Sequence, residues 1–163
     1  MRNSIITLVF LSVLVSCDSD IVFSESRSIS GTWDKNEGIE FIIPSLDSLK
    51  RYDVYVNVRN SNDYPFSNLF LIVEMSFPHG KTITDTLEYK MALPDGTWLG
   101  EGVGSIKENK LWYKENVPFL ERGDYRLRIS QAVRNNGDVD GVTDLEGITD
   151  VGYSIEEASQ RNE

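Results

Sequence analysis

The chain has 163 residues, 26 of them acidic and 16 basic, for a formal charge of −10. A surface this acidic is repelled by phosphates and by anionic headgroups, which excludes nucleic acid as a partner and charge attraction as a route to a membrane. The single cysteine, Cys17, excludes an internal disulfide and any cysteine-built metal cluster, so stability must come from packing.

Arg2 gives the amino terminus a positive charge, residues 5–15 are almost all apolar, and the small Ser16 stands directly before Cys17. This is the layout of an export leader, and the thiol at its end resembles a bacterial lipobox. In that arrangement the leader is cut before Cys17, the sulfur is diacylated and the new amino terminus is acylated. A spanning helix needs about 20 apolar residues, which this run lacks. Residues 1–16 are therefore read as a lipoprotein signal peptide, and residues 17–31 as the acylated cysteine followed by a polar, serine-rich tether. Each acyl chain contributes about 0.8 kcal/mol per buried methylene and more than one gives stable attachment, so the lipid supplies the membrane binding that the charge cannot.

Beyond the tether, alternation of period two dominates and no long helical stripe occurs. Residues 40–43 form a first strand that Pro44 stops, and residues 45–51, capped by Ser45, are the best candidate for a turn of helix. In residues 52–59, Val54, Val56 and Val58 face one way, while Asp53, Tyr55, Asn57 and Arg59 face the other. Residues 69–77 are nearly continuously apolar, which suits a central strand. Pro78-His79-Gly80 turns the chain, and residues 81–89 return antiparallel. Pro94-Asp95-Gly96 is a second turn, residues 110–113 and 117–119 are short strand candidates, and Tyr125, Leu127 and Ile129 alternate with Arg126, Arg128 and Ser130. Val151, Tyr153 and Ile155 supply the last strand. About eight short strands with turn chemistry every 8 to 12 residues predict an all-β fold, a single antiparallel β-sandwich of jelly-roll type over residues 32–156. The charged tail 157–163 is expected to fray.

Few motifs carry chemistry. Asn136, Asp138, Asp140 and Gly141 match the first half of a calcium loop, but Gly147 stands where the closing acid belongs and Glu146 lies one residue early. The segment reads better as a hairpin loop with solvated acids, leaving Asn136, Asp138 and Asp140 as weak metal candidates only. His79, the one histidine, sits in a turn without a sequence-adjacent partner, and no Gly-x-Ser-x-Gly elbow occurs. No catalytic residue, metal or cofactor is expected. Trp33, Trp98, Trp112 and Tyr113 raise the alternative of a sugar-stacking platform, although buried tryptophans are the commoner case.

Five strings are harder to treat as generic: VNVRNSNDYPFSNLFL at 56–71, DTLEYKMA at 85–92, PDGTWLGEG at 94–102, KENKLWYK at 107–114 and DLEGITDVG at 144–152. With the lipobox, they resemble the GldH family, lipoproteins of the gliding-motility apparatus of Bacteroidota, over residues 17–155. The resemblance implies a cell-envelope lipoprotein needed for gliding, a process linked to type IX secretion, and brings no assigned enzymatic activity, cofactor or binding residues; only the acylated cysteine transfers, onto Cys17. The expectation is a lipid-anchored accessory protein, in the outer membrane, that acts by contact with envelope proteins of the gliding or secretion machinery. Loops 60–68 and 94–104, with Tyr64, Phe66 and Trp98, and the strand residue Trp112 are the candidate contacts. An envelope-anchored glycan-binding module is the alternative.

Overall fold

The computed structural model describes residues 21–159, so Cys17 and the leader lie outside the described residues. Ten strands follow in chain order: β1 (Ile21–Ser28), β2 (Trp33–Asp34), β3 (Ile39–Ile43), β4 (Tyr52–Asn60), β5 (Asn68–Ser76), β6 (Thr82–Lys90), β7 (Lys107–Val117), β8 (Tyr125–Gln131), β9 (Asp144–Leu145) and β10 (Ile148–Glu157). No helix forms among the described residues. Alternation in the sequence becomes alternation in burial. Along β5, Leu69, Leu71, Val73 and Met75 are buried and the residues between them are half-buried, because successive side chains of a strand point to opposite faces.

Two four-stranded antiparallel sheets result, ordered β1-β10-β4-β7 and β3-β8-β5-β6, with β2 and β9 as a small separate pair. Setting that pair aside, the order is that of the jelly roll, two Greek keys folded into a sandwich. Val54, Val56, Val58, Val151, Tyr153 and Ile155 of the first sheet face Phe41, Leu69, Leu71, Val73, Leu127 and Ile129 of the second in one continuous core. Burial of each such side chain contributes about 1.5–3 kcal/mol. Phe41 and Tyr153 meet edge to face at 5.3 Å, and the Tyr153 hydroxyl donates to the Ile42 carbonyl at 3.2 Å, tying the sheets together.

The open sides are closed by side chains between edge strands. On one side the Arg27 guanidinium lies 5.3 Å from the Phe41 ring. On the other, the Tyr89 hydroxyl donates to the Trp112 carbonyl at 2.6 Å. Asp85 of β6 accepts from the Tyr113 hydroxyl at 3.0 Å and the Lys114 ammonium at 2.8 Å. The Lys114 hydrogen bond, opposed by partial burial and helped by Tyr113, holds the Asp85 carboxyl below its usual range. Burial pushes the Tyr89 hydroxyl up to about 12.

The strands also fix which loops share an end. Ile21 pairs with Glu156, Glu157 with Tyr52, and Tyr52 with Val117, so these five residues mark one end of the first sheet. Ile43 opposite Tyr125 and Ser76 opposite Thr82 mark an end of the second. A relay of rings joins the two: Tyr52 to Phe119 at 5.8 Å, Phe119 to Tyr125 at 4.9 Å and Tyr125 to Phe77 at 5.2 Å. This is the amino-terminal end, bearing loops 44–51, 77–81 and 118–124. Loops 29–38, 61–67, 91–106 and 132–147 all lie at the far end, about 30 Å away along a strand of nine residues such as β4.

Three sequence expectations need correction. Residues 21–28 are not tether but strand β1, paired with β10 from Ile21 opposite Glu156 to Ser28 opposite Asp150. Its serines, Glu25 and Arg27 give it the polar composition of an exposed edge strand, which in sequence looks the same as a linker. Gly152 permits the pairing, since a Cβ there would lie 2.4 Å from the Glu25 carbonyl oxygen. Residues 45–51 form a turn rather than helix: the Asp47 carboxylate accepts the Leu49 N–H at 2.9 Å and its carbonyl accepts the Lys50 N–H at 3.2 Å. One helical turn cannot repay its nucleation, and an aspartate that bonds the following backbone offers the chain an alternative. The candidate at 110–113 lies inside β7, which begins at Lys107 and keeps pairing to Val117 across two register shifts against β4, while the candidate at 117–119 contributes only Val117, with Pro118 and Phe119 in the loop beyond. Asn116 there has φ 52° and its N–H donates to the buried Asp53 carboxylate at 2.8 Å. At the tail, Glu157 still belongs to β10, and Ala158 N–H donates to the Arg51 carbonyl at 2.9 Å.

Gly147 holds two far-end loops together. Its φ is +77°, a Cβ would lie 2.2 Å from the Tyr64 backbone nitrogen, and its carbonyl accepts the Ser61 N–H at 2.8 Å. Gly147→Ala should therefore cost about 2–4 kcal/mol in urea unfolding. Gly137→Ala, at φ +91° but in open space, should cost only the backbone penalty of about 1–2 kcal/mol; equal losses would contradict the close approach. Asp85→Asn keeps an acceptor for Tyr113 while removing the charge. A depressed carboxyl stabilises the fold above its unfolded value near pH 4 and loses that contribution as pH falls through the folded value. The variant should thus be less stable at pH 7, by under about 1 kcal/mol for so exposed a pair, and should match the parent in acid.

Candidate interaction surface

The far end is built on buried polar anchors. Asn109 of β7 donates to the Val58 carbonyl at 3.1 Å and to Asn60 Oδ1 at 2.9 Å. Gln131, at the end of β8, donates to the Val142 carbonyl at 2.8 Å and accepts the Val133 N–H at 3.0 Å. These bonds fix where loops 91–106 and 132–147 leave the sandwich. Ser67 holds the first of them further, its carbonyl accepting the N–H groups of Met91 and Ala92 at 2.8 and 3.0 Å. From there Leu93 and Thr97 close a tight turn around Pro94-Asp95-Gly96, and Glu101 exchanges two backbone bonds with Glu108. Loop 91–106 is thus two short hairpins in series.

Tyr64, Phe66 and Trp98 come together here, bridging loops 61–67 and 91–106. Tyr64 is buried, its hydroxyl donating to the Asn68 carbonyl at 2.7 Å, with Phe66 at 5.8 Å and Trp98 at 6.2 Å between ring centres. Burial holds the Tyr64 hydroxyl far above the ordinary tyrosine range. The Trp98 indole N–H donates to Asn62 Oδ1 at 3.2 Å. Tyr64 meets both other rings, and its contact with Trp98 pins loop 91–106 to loop 61–67. The outward side chains of the loop include four aliphatic ones among Asp95, Thr97, Glu101 and Ser105: Val103 is fully exposed, Leu99 is 47 % exposed, and Leu93 and Ile106 are also open. Beside Leu99 runs an open groove of about 670 Å³ lined by Lys90, Gly100, Glu101, Asn109 and Lys110. Of the aromatic residues that the sequence singles out on these two loops, Tyr64 is buried while Phe66 and Trp98 are half-buried, because aromaticity marks large surface without saying whether it is spent inside or outside.

Trp112 is elsewhere, on the outer face of the β4–β7 pair in the half of the strand nearer the amino-terminal end. It leans on Tyr55 at 4.5 Å, is 47 % exposed, and does not join the other three. Trp33 and Tyr113 are core residues; the Trp33 indole N–H donates to the Glu37 carbonyl at 2.9 Å. Asn136, Asp138 and Asp140 lie exposed on loop 132–147, where Arg134 bridges to Gly141. No group of three acidic, histidine or cysteine side chains placed to hold an ion occurs among the described residues. His79 sits at the β5–β6 hairpin tip, its Nδ1 3.3 Å from Glu121.

Charge is divided between the ends. The four far-end loops carry nine carboxylates against two cations, a net −7, while the three loops of the amino-terminal end carry three against four, a net +1. The domain is electrically polar along its strands.

A chain of infectious bursal disease virus gives a distant likeness, at 12 % identity and a TM-score of 0.38, over 86 % of this chain and 33 % of that one; this carries no argument. Sequence comparison is decisive. The chain is 52 % identical over 161 residues to a gliding motility lipoprotein GldH homolog of Christiangramia forsetii, covering 97 % of this chain and 99 % of that protein. It is 51 % identical over 157 residues to the gliding motility lipoprotein GldH of Flavobacterium johnsoniae, covering 96 % and 98 %. The family model of the GldH lipoprotein matches residues 21–155, the whole of the sandwich from β1 into β10, and the chain belongs to the GldH lipoprotein family.

Proposed function

We propose that this protein is a lipid-anchored accessory component of the gliding apparatus, acylated at Cys17 and held in the outer membrane, that works by contact with other envelope proteins, including those of type IX secretion. The relatives' names support the process, and the lipobox-like leader before the sole cysteine supports the anchor. The observation that carries the contact role is loop 91–106, which shows four open aliphatic side chains while its single aromatic one, Trp98, packs against Tyr64. A soluble domain gains nothing from exposing them; an interface does. Confinement to one membrane raises the effective concentration of partners in the same layer, so a small patch suffices. The rival reading, a glycan-binding module, draws support from the exposed Trp112 indole.

Complementation separates these readings. In an F. johnsoniae strain lacking its own GldH, this chain should restore colony spreading, and Cys17→Ser should not. The double variant Leu99→Ser with Val103→Ser should accumulate normally, keep its circular dichroism, and lose both spreading and co-purification with envelope proteins. Trp112→Ala should spread as the parent does. Full spreading by the double variant would overturn the proposed contact surface, and loss of spreading in Trp112→Ala alone would favour the glycan reading.

A further inference from the structure

The loops at the amino-terminal end expose two large apolar side chains at their tips: Leu49, 93 % exposed, in loop 44–51, and Leu120, 70 % exposed, in loop 118–124. Ile21, Val22 and Phe23, where β1 begins at the same end, are open too. None of these belongs to the contact surface above, which lies about 30 Å away at the far end. Two further facts bear on what covers them. Cys17 is four peptide links from Ile21, so the two Cα atoms lie within about 14 Å whatever path the chain takes. This end is also the one part of a strongly acidic molecule whose loops are net positive, at +1 against −7 at the other end.

We propose that the amino-terminal end of the sandwich is a bilayer-docking surface, with Leu49 and Leu120 inserted at the boundary between headgroups and acyl chains. The inference rests on the reading of Cys17 as the anchor and goes beyond it, since a lipid alone fixes a distance and leaves orientation free. Apolar tips beside an acyl chain act as a second attachment. They add buried apolar area where the first attachment has already removed the entropic cost of approach. Charge works in the same direction: an anionic headgroup layer repels the −7 loops of the far end more strongly than the +1 loops here, even with Asp18 and Asp20 next in sequence to β1 and Glu156 and Glu157 beside it, and so favours one way up. Lys50 and Arg51, next to Leu49, and Arg122, near Leu120, stand at headgroup height when the leucines are buried. Their placement matches a snorkelling arrangement, with Lys50 also held by Glu157 at 2.7 Å.

Acylation leaves Cys17 without a free thiol, so a single introduced cysteine can be labelled in the native lipoprotein. Leu49→Cys, Leu120→Cys and Val103→Cys, each carrying a nitroxide, are to be reconstituted in phosphatidylethanolamine–phosphatidylglycerol vesicles and their collision rates with oxygen and with a water-soluble nickel chelate compared. The oxygen-to-nickel ratio at 49 and 120 should exceed that at 103 several-fold. Protein that floats with the vesicles, takes one label, and shows equal ratios at all three positions would overturn docking while leaving the anchor intact. Shielding of 49 and 120 from both reagents would mean a protein covers this end and would equally overturn it. Two labels per chain with no flotation would overturn the anchor, and this inference with it.

Discussion

Everything in this molecule depends on two sheets burying their inner faces against each other without covalent help. The one thiol lies before the first described strand, so no cross-link crosses the core. Val54, Val56 and Val58 of one sheet and Leu69, Leu71 and Val73 of the other must fill the space unaided. At native packing density a methylene removed from such a layer is felt directly. That same packing sets the strand directions and thereby sorts every loop to one end or the other. The functional polarity of the domain is a consequence of its core.

The two ends are built differently because the jelly roll places its connections unequally. Loops 44–51, 77–81 and 118–124 are short and closed over by the Tyr52, Phe119, Tyr125 and Phe77 rings. Three of the four far-end connections are longer, two of them hold the β2–β9 pair, and they are fastened by Gln131, Asn109 and the approach of Gly147 to Tyr64. Long loops fixed at their roots can show specific side chains without fraying. The acidic charge gathers there as well, keeping an exposed aliphatic loop soluble and away from anionic lipid.

Much of this was legible in the sequence, for a reason that particular residues make plain. In β4 the alternation of valine with other residues is the pleat itself, the nearly continuous apolar run of β5 marks an inner strand, and Pro78-His79-Gly80 turns the chain where turn chemistry says it should. What was missed depends on distant partners. Residues 21–28 have linker composition, and only β10, more than a hundred residues later, makes them a strand. Tyr64, Phe66 and Trp98 were rightly placed on two loops, yet whether they point at each other or at a partner is a tertiary matter. Leu49, Val103 and Leu120 break no pattern because loops have none, so their exposure became visible only once the core was known.

Together these features describe a domain that stands upright on its anchor, holding an acidic, aliphatic-tipped surface about a strand's length above the bilayer, roughly 30 Å. Polarised infrared spectroscopy of the acylated protein on a supported bilayer tests that posture directly. The amide I dichroism should place the strand axes close to the membrane normal, allowing for the twist between sheets. Strands lying in the membrane plane would contradict the account, because the far-end loops would then sit at the lipid surface beside the anchor.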